Sequence, residues 1–421
     1  MEIISGILES ILSVFKALWW IITPTFLVFV VWDLWLMYIK GAFIRGIKWK
    51  LLEVQVPKEV LRTPKAMEQI FAAVHSMLSS ITKLRDKYWY GKVQLWTSFE
   101  IVGNAGGIRF YVRVPADFQR LIESAVYSQY PNAEITEAED YVAMLPSIVP
   151  NQVYDVWGVD LFLAKDSGYP IRTYSYFEEK EEERRLDPIA ALGEVMSTLK
   201  NDESAWIQVL IRPIDDSWKK KGEELINKLI GKKSIPKKTS WEKSSDSFWM
   251  FIKNLIFAPI QSPNWDAPEE QKPTPSNLSS LTSGQQDVIK AVDGKISKLG
   301  FEGAVRFVYI DRRDAFTRAN IAAVMGFFKQ FNTQNLNAFK PNGDTITSVN
   351  KGLFKKWKTA DRKRKMFSAA MLRMIPRQVS VFNTEELATI FHFPGQMVAQ
   401  APMVSRIEAK KKEPPSTLPR A

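Results

Sequence analysis

KVQLWTSFEIVGNAGGIRFYVRVP, Lys92–Pro115, is the stretch on which the reading of the fold turns. Val93 and Leu95 before its centre, and Ile108, Phe110, Val112 and Val114 after it, follow the two-residue period of a half-buried strand. Between the runs lies Gly-Asn-Ala-Gly-Gly at 103–107, so the two strands form a hairpin. The glycines invite comparison with a phosphate-binding loop. The pattern is neither GxGxxG nor GxxxxGK[ST], and a strand rather than a helix follows it, so it reads as a turn.

Working outward, LRTPKAMEQIFAAVHSMLSSI (61–81) carries Met67, Ile70, Phe71, Val74 and Leu78 at helical spacing, with His75 beside that stripe as a helix-surface residue. Downstream, Phe118, Leu121, Ile122, Ala125 and Val126 share one helical face, which Pro131 ends, and NAEITEAEDYV (132–142) returns as a short strand. Strand, strand, helix, strand is half or more of a ferredoxin-like split β-α-β unit. A similar order recurs. VDLFLAK (159–165) and IRTYSYF (171–177) are strand candidates, DPIAALGEVMSTLK (187–200) is a helix capped by Asp187, and AWIQVLIRPI (205–214) is a buried strand. GAVRFVYIDRRDAFTRANIAAVMGFFKQF (303–331) gives strand then helix again, with Asp314 as cap. The expected fold class is therefore α+β: an N-terminal transmembrane helix followed by two or three ferredoxin-like modules.

At 421 residues the chain has room for two or three domains, and 46% apolar residues supply their cores. Composition divides it into a membrane anchor and basic juxtamembrane segment (1–50), a first α+β region (51–235), an amphipathic segment and Pro/Ser-rich linker (236–285), a second α+β region (286–400), and a flexible basic, Pro-rich tail (401–421). Within the linker, the apolar SFWMFIKNLIFAPI (247–260) reads equally as a surface-lying membrane contact or as a helix packed on the preceding module.

Ala17–Ile39 holds a single charge, Asp33, and at about 1.5 Å per residue spans a hydrocarbon core of roughly 30 Å. Trp19 and Trp20 near one end, and Trp35 and Tyr38 near the other, sit where an interfacial aromatic belt belongs. A cleaved signal peptide would want a basic start and a small-residue cleavage site. Glu2, Glu9 and the lack of an A-x-A pattern argue against one, leaving an anchor or an interfacial helix. Lys40, Arg45, Lys48 and Lys50 follow the segment while only Lys16 precedes it. The positive-inside rule then gives a single-pass protein of the inner membrane with its C-terminal body in the cytoplasm.

The net charge of +11 favours an anionic partner. With no cysteine, disulfides, thiolate zinc sites and cysteine nucleophiles are excluded. The two histidines, His75 and His392, lie far apart and outside any HExxH-type pattern. The Gly-Lys pairs at Gly91, Gly231 and Gly294 lack a P-loop context, and FEEKEEERR (177–185) and DRRD (311–314) read as a solvated face and a capping segment. No catalytic, metal or cofactor-binding residue is assigned, and the expectation is a non-enzyme without cofactors. The informative stretch is KGLFKKWKTADRKRK (351–365). Its candidate polyanion-binding residues are Lys351, Lys355, Lys356, Trp357, Lys358, Arg362, Lys363, Arg364 and Lys365, against one acid, Asp361. Basic side chains neutralise phosphates and an interleaved aromatic stacks on bases or sits among headgroups, so nucleic acid, anionic lipid and a merely solvated face all remain open.

FNTEELATIFHFPGQMVAQAPMVSRIEAKKKEPPSTLP (382–419) carries Thr-Glu-Glu-Leu-Ala, His-Phe-Pro, a later Ala-Pro and Pro-Pro-x-x-Leu-Pro. It resembles the segment leading into the motor of HerA/FtsK-superfamily membrane ATPases of the bacterial type IV secretion, conjugation-like group. FEIVGNAGGIRFYVRVPADFQRLIESAVYSQYPNAEI (99–135) is similar to the N-terminal module of those proteins. No Walker A loop follows the lead-in here. The resemblance implies a non-catalytic, membrane-anchored component of a DNA-translocation machine that docks a separately encoded P-loop ATPase. It leaves room for DNA as a partner and for an oligomer on a hexameric motor. The alternative is a membrane-tethered nucleic-acid binder acting without a motor. On either reading His392 is structural, at the carbonyl end of a short helix that Pro394 stops.

Overall fold

The computed structural model describes residues 2–57, 63–79, 81–105, 107–177, 187–231, 281–349 and 354–394. In chain order these form α1 (Glu2–Gly46), β1 (Trp49–Gln55), α2 (Lys65–Val74), α3 (Leu84–Tyr88), β2 (Thr97–Asn104), β3 (Gly107–Pro115), α4 (Gln119–Gln129) and β4 (Glu134–Glu137). They continue as β5 (Tyr154–Leu163), α5 (Ala190–Ser197), β6 (Ser204–Pro213), α6 (Ser217–Leu229), α7 (Ser283–Ile296), β7 (Gly300–Arg312), α8 (Arg318–Lys329), β8 (Phe339–Pro341), α9 (Lys355–Met371), β9 (Ser380–Asn383) and α10 (Thr384–Ile390).

The hairpin forms as the turn chemistry requires. Gly103 pairs with Ile108 and Asn104 with Gly107, leaving a two-residue loop, and Gly107 takes φ +103°, a conformation that favours glycine. All nine strands belong to one mixed-order antiparallel sheet, β4-β1-β3-β2-β6-β7-β5-β8, with β9 beside the first residues of β7. The order has an internal repeat. β1-α2-β2-β3-α4-β4 lies as 4-1-3-2 when its own strands are counted, and β5-α5-β6-β7-α8-β8 lies the same way. The halves join where β2 runs antiparallel to β6, from Thr97 opposite Ile211 to Asn104 opposite Ser204.

The regions 51–235 and 286–400 suggested by composition therefore share one sheet, because β7 lies between β6 and β5. The composition break after α6 does not divide the sheet: the chain returns beside the strand it left. Thr282 and Gln285, placed in the linker by composition, form a capping box that starts α7. The linker's 261–280, the 247–260 segment, most of the acidic run and the 401–421 tail lie outside the described residues.

Alternation along each strand separates two cores. On one face Phe99, Ile101, Phe110, Val112, Val159, Ile207, Val209 and Phe307 pack with α2 (Phe71), α4 (Ile122), α5 (Leu192), α8 (Phe328) and α10 (Leu387). On the other, Val102, Tyr111, Val156, Trp206, Val308 and Ile310 lie under Met366, Phe367 and Ala370 of α9.

The segment 384–394 is an internal strut. Phe391 meets Phe99 and Phe110, with ring centroids 5.2 and 5.9 Å apart, and Phe393 meets Phe110 and Tyr130 at 5.6 and 5.2 Å. Phe391 and Phe393 thus pack against the 99–135 stretch. Asn383 caps α10 in a capping box with Glu386, which also pairs with Lys295 at 2.8 Å, both side chains fully buried. His392 is buried, its Nδ1 against the Ala388 carbonyl and its Nε2 against Asp187. IRTYSYF is not a strand. Its backbone N–H groups at Ile171 and Tyr174 donate to Glu386 and Thr389 of α10, which replaces a ladder, and Tyr174–Tyr176 form a single 3-10 turn. The expected caps move slightly: Asp187 accepts from the Ile189 N–H one turn ahead of α5, and Thr317, not Asp314, caps α8, while Asp314 pairs with Arg312.

Lys295→Met leaves Glu386 as an uncompensated buried charge, so urea unfolding should show a loss of about 3–5 kcal/mol. Adding Glu386→Gln to that variant removes the charge, keeps an acceptor for the Ile171 N–H, and should recover part of the loss. Acid stability should report Glu385. Burial raises its pKa, but hydrogen bonds from Lys298, Ser175 and Thr173 outweigh it and hold the carboxyl below its ordinary value near 4.5. A depressed folded pKa gives stability that is complete above the unfolded value and lost as pH falls through the folded one. Lys298→Met should therefore flatten the fall in melting temperature below about pH 4.5, the unfolded value of a glutamate.

Candidate nucleic-acid or lipid interface

The helix that carries the basic stretch is positioned by a polar row crossing the sheet. Glu100 of β2 is opposite Gln208 of β6, Gln208 is opposite Arg306 of β7, and Arg306 is opposite Asp160 of β5. All four are buried on the α9 face. Two of them, Gln208 and Arg306, donate to carbonyls at the C-terminal end of α9, where helix carbonyls lack i+4 partners. Arg306 donates to Asp160 (2.8 Å), to the Ala369 carbonyl (2.7 Å) and to the Met374 carbonyl (3.0 Å). Gln208 donates to the Ala370 carbonyl (3.0 Å), and the Trp96 indole N–H to the Arg373 carbonyl (2.9 Å).

Arg373 follows α9 in the left-handed region (φ +50°) and forks onto Glu100 and Asp140. Burial acts to lower its pKa, but Glu100, Tyr141 and Asp140 outweigh it and hold the guanidinium well above its ordinary value. Burial, with the Glu100 charge, pushes the Tyr141 hydroxyl up, so it stays a donor to Glu100 at 2.6 Å. Burial and then repulsion from Arg373 bring neighbouring Arg113 down to about 10.

The nine candidate residues divide. Trp357, Lys358, Arg364 and Lys365 recur at helical spacing on the solvent face of α9, with Trp357 72% exposed. Lys355 and Lys356 are exposed in its first turn. Lys365 pairs with Asp361 at the surface. Two others are structural: Lys363 binds both Asp155 oxygens at 2.7 Å, and Arg362 donates to the Ile346 carbonyl. Lys351 lies outside the described residues.

The register also says where this face lies. β1 begins three residues after α1 ends, and Arg113 stacks over its Trp49 at 4.0 Å while donating to the Leu372 carbonyl. The C-terminal end of α9 is thus beside the end of the sheet that α1 enters. Lys363 instead meets Asp155, opposite Asp311 near the far end of β7. At about 1.5 Å per residue, Lys363 is some 15 Å along the axis from Arg373, and Lys355 roughly 12 Å farther.

The expected membrane-interface residues belong to the other end. Trp19–Gly46 of α1 is long and apolar enough to cross a membrane, with mean hydropathy 1.7 in its most apolar window, which fits a single-pass membrane protein. α1 extends beyond the expected span on both sides and continues through Pro24, beside which the Thr25 hydroxyl donates to the Ile21 carbonyl. Trp19, Trp20, Trp35, Tyr38 and Arg45 are exposed, and Lys40 is partly covered. Sequence reading passed over the neighbour of this end. Tyr88 lies 5.7 Å from Trp32, Trp89 lies 6.2 Å from Trp35, and the Trp35 indole donates to the Tyr88 carbonyl. The signal was the run Tyr88-Trp89-Tyr90 with basic neighbours.

A cleft of about 680 Å³ opens beside the polar row, and its charged lining is mostly acidic (Glu53, Glu137, Glu139, Asp202, Glu203, against Arg109). A lining of that sign repels phosphates. His75 is partly buried against the Ile214 carbonyl and the edge of Phe301. Among the described residues no group of three or more His, Asp or Glu is placed to hold a metal ion.

No curated protein matches the chain. A family model described as a domain of unknown function, DUF8128, matches residues 47–404, from the end of α1 through the whole sheet and α10. The chain belongs to that family.

Proposed function

We propose that the protein is a membrane-anchored, non-catalytic scaffold that holds a nucleic acid on the solvent face of α9, away from the bilayer. The observation that carries this is a charge arrangement that does not serve the helix. Lys355, Lys356 and Lys358 crowd the first turn of α9, where the helix dipole is already positive and acidic residues are stabilising, and that turn holds no acid. The cost to the helix is a concentrated positive potential for a polyanion, with Trp357 available to stack on a base. The distance from the membrane-side end favours nucleic acid over the lipid of the same membrane, since screening is strong beyond a Debye length of about 8–10 Å.

The repeated 4-1-3-2 order supports two ferredoxin-like modules fused edge to edge, one formed by β1–β4 and one by β5–β8. Lys40, Arg45, Lys48 and Lys50 support a body on the cytoplasmic side of the inner membrane. The resemblance of 99–135 and 382–419 supports a second, narrower reading: a component of a type IV secretion or conjugation-like machine that docks a separate HerA/FtsK-type ATPase and oligomerises on its hexamer. Removing residues 1–40 should release that ATPase from the membrane fraction, and an ATPase that stays bound overturns the narrower reading.

The main reading is tested by salt titration of the full chain in detergent against single-stranded and duplex DNA. Log affinity should fall linearly with log salt, and Lys358→Glu/Arg364→Glu/Lys365→Glu should reduce the slope by about 2–3, near 0.7–0.9 per lost phosphate contact. Lys363 is left intact because its partner is Asp155. Unchanged DNA affinity in the triple variant, or tighter binding to anionic vesicles through these three residues, overturns the proposal.

A further inference from the structure

We propose that Leu84–Gly91 is a second membrane contact, a foot of the body that rests in the lipid headgroup layer beside the exit of α1. It rests on the reading of α1 as a membrane helix, and it adds a site on a different part of the chain.

The foot is fixed to α1 by backbone as well as rings. Gly91 has φ +61°, and a Cβ there would meet the Ile39 carbonyl carbon at 2.5 Å and the Lys40 nitrogen at 2.7 Å. Only glycine permits this approach. Ile39 is buried beneath it, and Trp32 and Trp35, two turns and one turn earlier, hold Tyr88 and Trp89. These are the last turns of the apolar segment, where the chain leaves the hydrocarbon.

What the foot turns outward is the chemistry of that layer. Leu84 is 73% exposed and Trp89 66%, with Tyr90 also open, although all three could have been polar on a soluble surface. Arg85 and Lys87 stand over the rings of Tyr90 and Tyr88, each 5.2 Å from the centroid, so cations and aromatic rings occupy one level. Asp86, the acid in the helix, is paired with Lys92 at 3.2 Å. Amphipathic rings with basic side chains suit anionic headgroups over a buried apolar edge. Trp32, Trp35 and Tyr38 of α1 are exposed on the turns that meet it, Tyr38 beside Trp35, so one medium covers both.

The chain has no cysteine, so single cysteines report cleanly. Leu84→Cys, Trp89→Cys, Val28→Cys and Lys365→Cys, each carrying an NBD fluorophore, are placed in the full chain and reconstituted in vesicles of phosphatidylcholine and phosphatidylglycerol. Labels at 84 and 89 should be quenched by a lipid nitroxide near the headgroup and be several-fold less accessible to aqueous iodide than the label at 365. The label at 28 should respond to a nitroxide deep in the acyl chains. Labels at 84 and 89 that behave like 365, while 28 stays in lipid, overturn the foot and leave the α1 reading standing. A label at 28 open to iodide overturns the α1 reading and the foot with it. Shielding at 84 and 89 from both quenchers that rises with protein density assigns the surface to a second copy and overturns the lipid contact.

Discussion

The buried row of Glu100, Gln208, Arg306 and Asp160 is the constraint on which the arrangement of this protein depends. Ions removed from water are costly unless every donor and acceptor is met. Here the guanidinium of Arg306 meets one carboxylate, the Ala369 carbonyl of α9 and the Met374 carbonyl just beyond it, and that of Arg373 meets two carboxylates and a carbonyl. The apolar contacts of Met366, Phe367 and Ala370 alone would accept α9 displaced along its axis, since dispersion and burial are not directional. The hydrogen bonds would not: a shift of one turn, about 5.4 Å, would strand the buried charges. The row therefore does more to choose the position of α9 than to stabilise it. It also crosses the β2–β6 junction, so the helix is locked against both halves of the sheet at once.

That position matters because α9 is asymmetric. Its C-terminal end is held by the row, and its first turn carries Lys355, Lys356, Trp357 and Lys358 in the open. The internal repeat gives no counterpart to it. α2, α4, α5 and α8 cover one face in equivalent places, while the other face is covered by α9 and by the chain around Tyr141 and Val149. α9 is thus an addition to a repeated frame, reaching across it where the two halves of the sheet meet.

Local chemistry was legible in the sequence and long-range pairing was not. The 103–107 turn, the amphipathic faces of α2 and α4 and the apolar run of α1 follow from periodicity and turn residues, which act over a few positions. Glu100, Gln208, Arg306 and Asp160 each stand alone between two core residues, as in Phe99-Glu100-Ile101, and a lone polar residue in a strand reads as the solvent side of the alternation. Only the register, with α9 laid over it, turns that side into an interior. IRTYSYF has strand-forming residues, but side chains of α10, more than two hundred positions later, take its backbone bonds. The basic stretch was visible as composition, whereas the structural roles of Arg362 and Lys363 depend on Ile346 and Asp155, which no local pattern indicates.

The same geometry gives the two ends of the molecule different electrostatic duties. With α1 spanning an anionic bilayer as proposed, basic residues at its exit would lie within a Debye length of the headgroups and be neutralised there, adding little to the field at the far end. Lys355, Lys356 and Lys358 stand roughly 22–27 Å along the α9 axis from Arg373, outside that layer. A polymer bound to them does not compete with the membrane for the same cations, and the membrane does not repel it strongly at that distance. Had α9 been inverted on the sheet, its lysines would have faced the headgroups and been occupied by lipid. The direction of one helix, set by its carbonyl end meeting Gln208 and Arg306 of the row, is what keeps Lys355, Lys356 and Lys358 at the far end from α1.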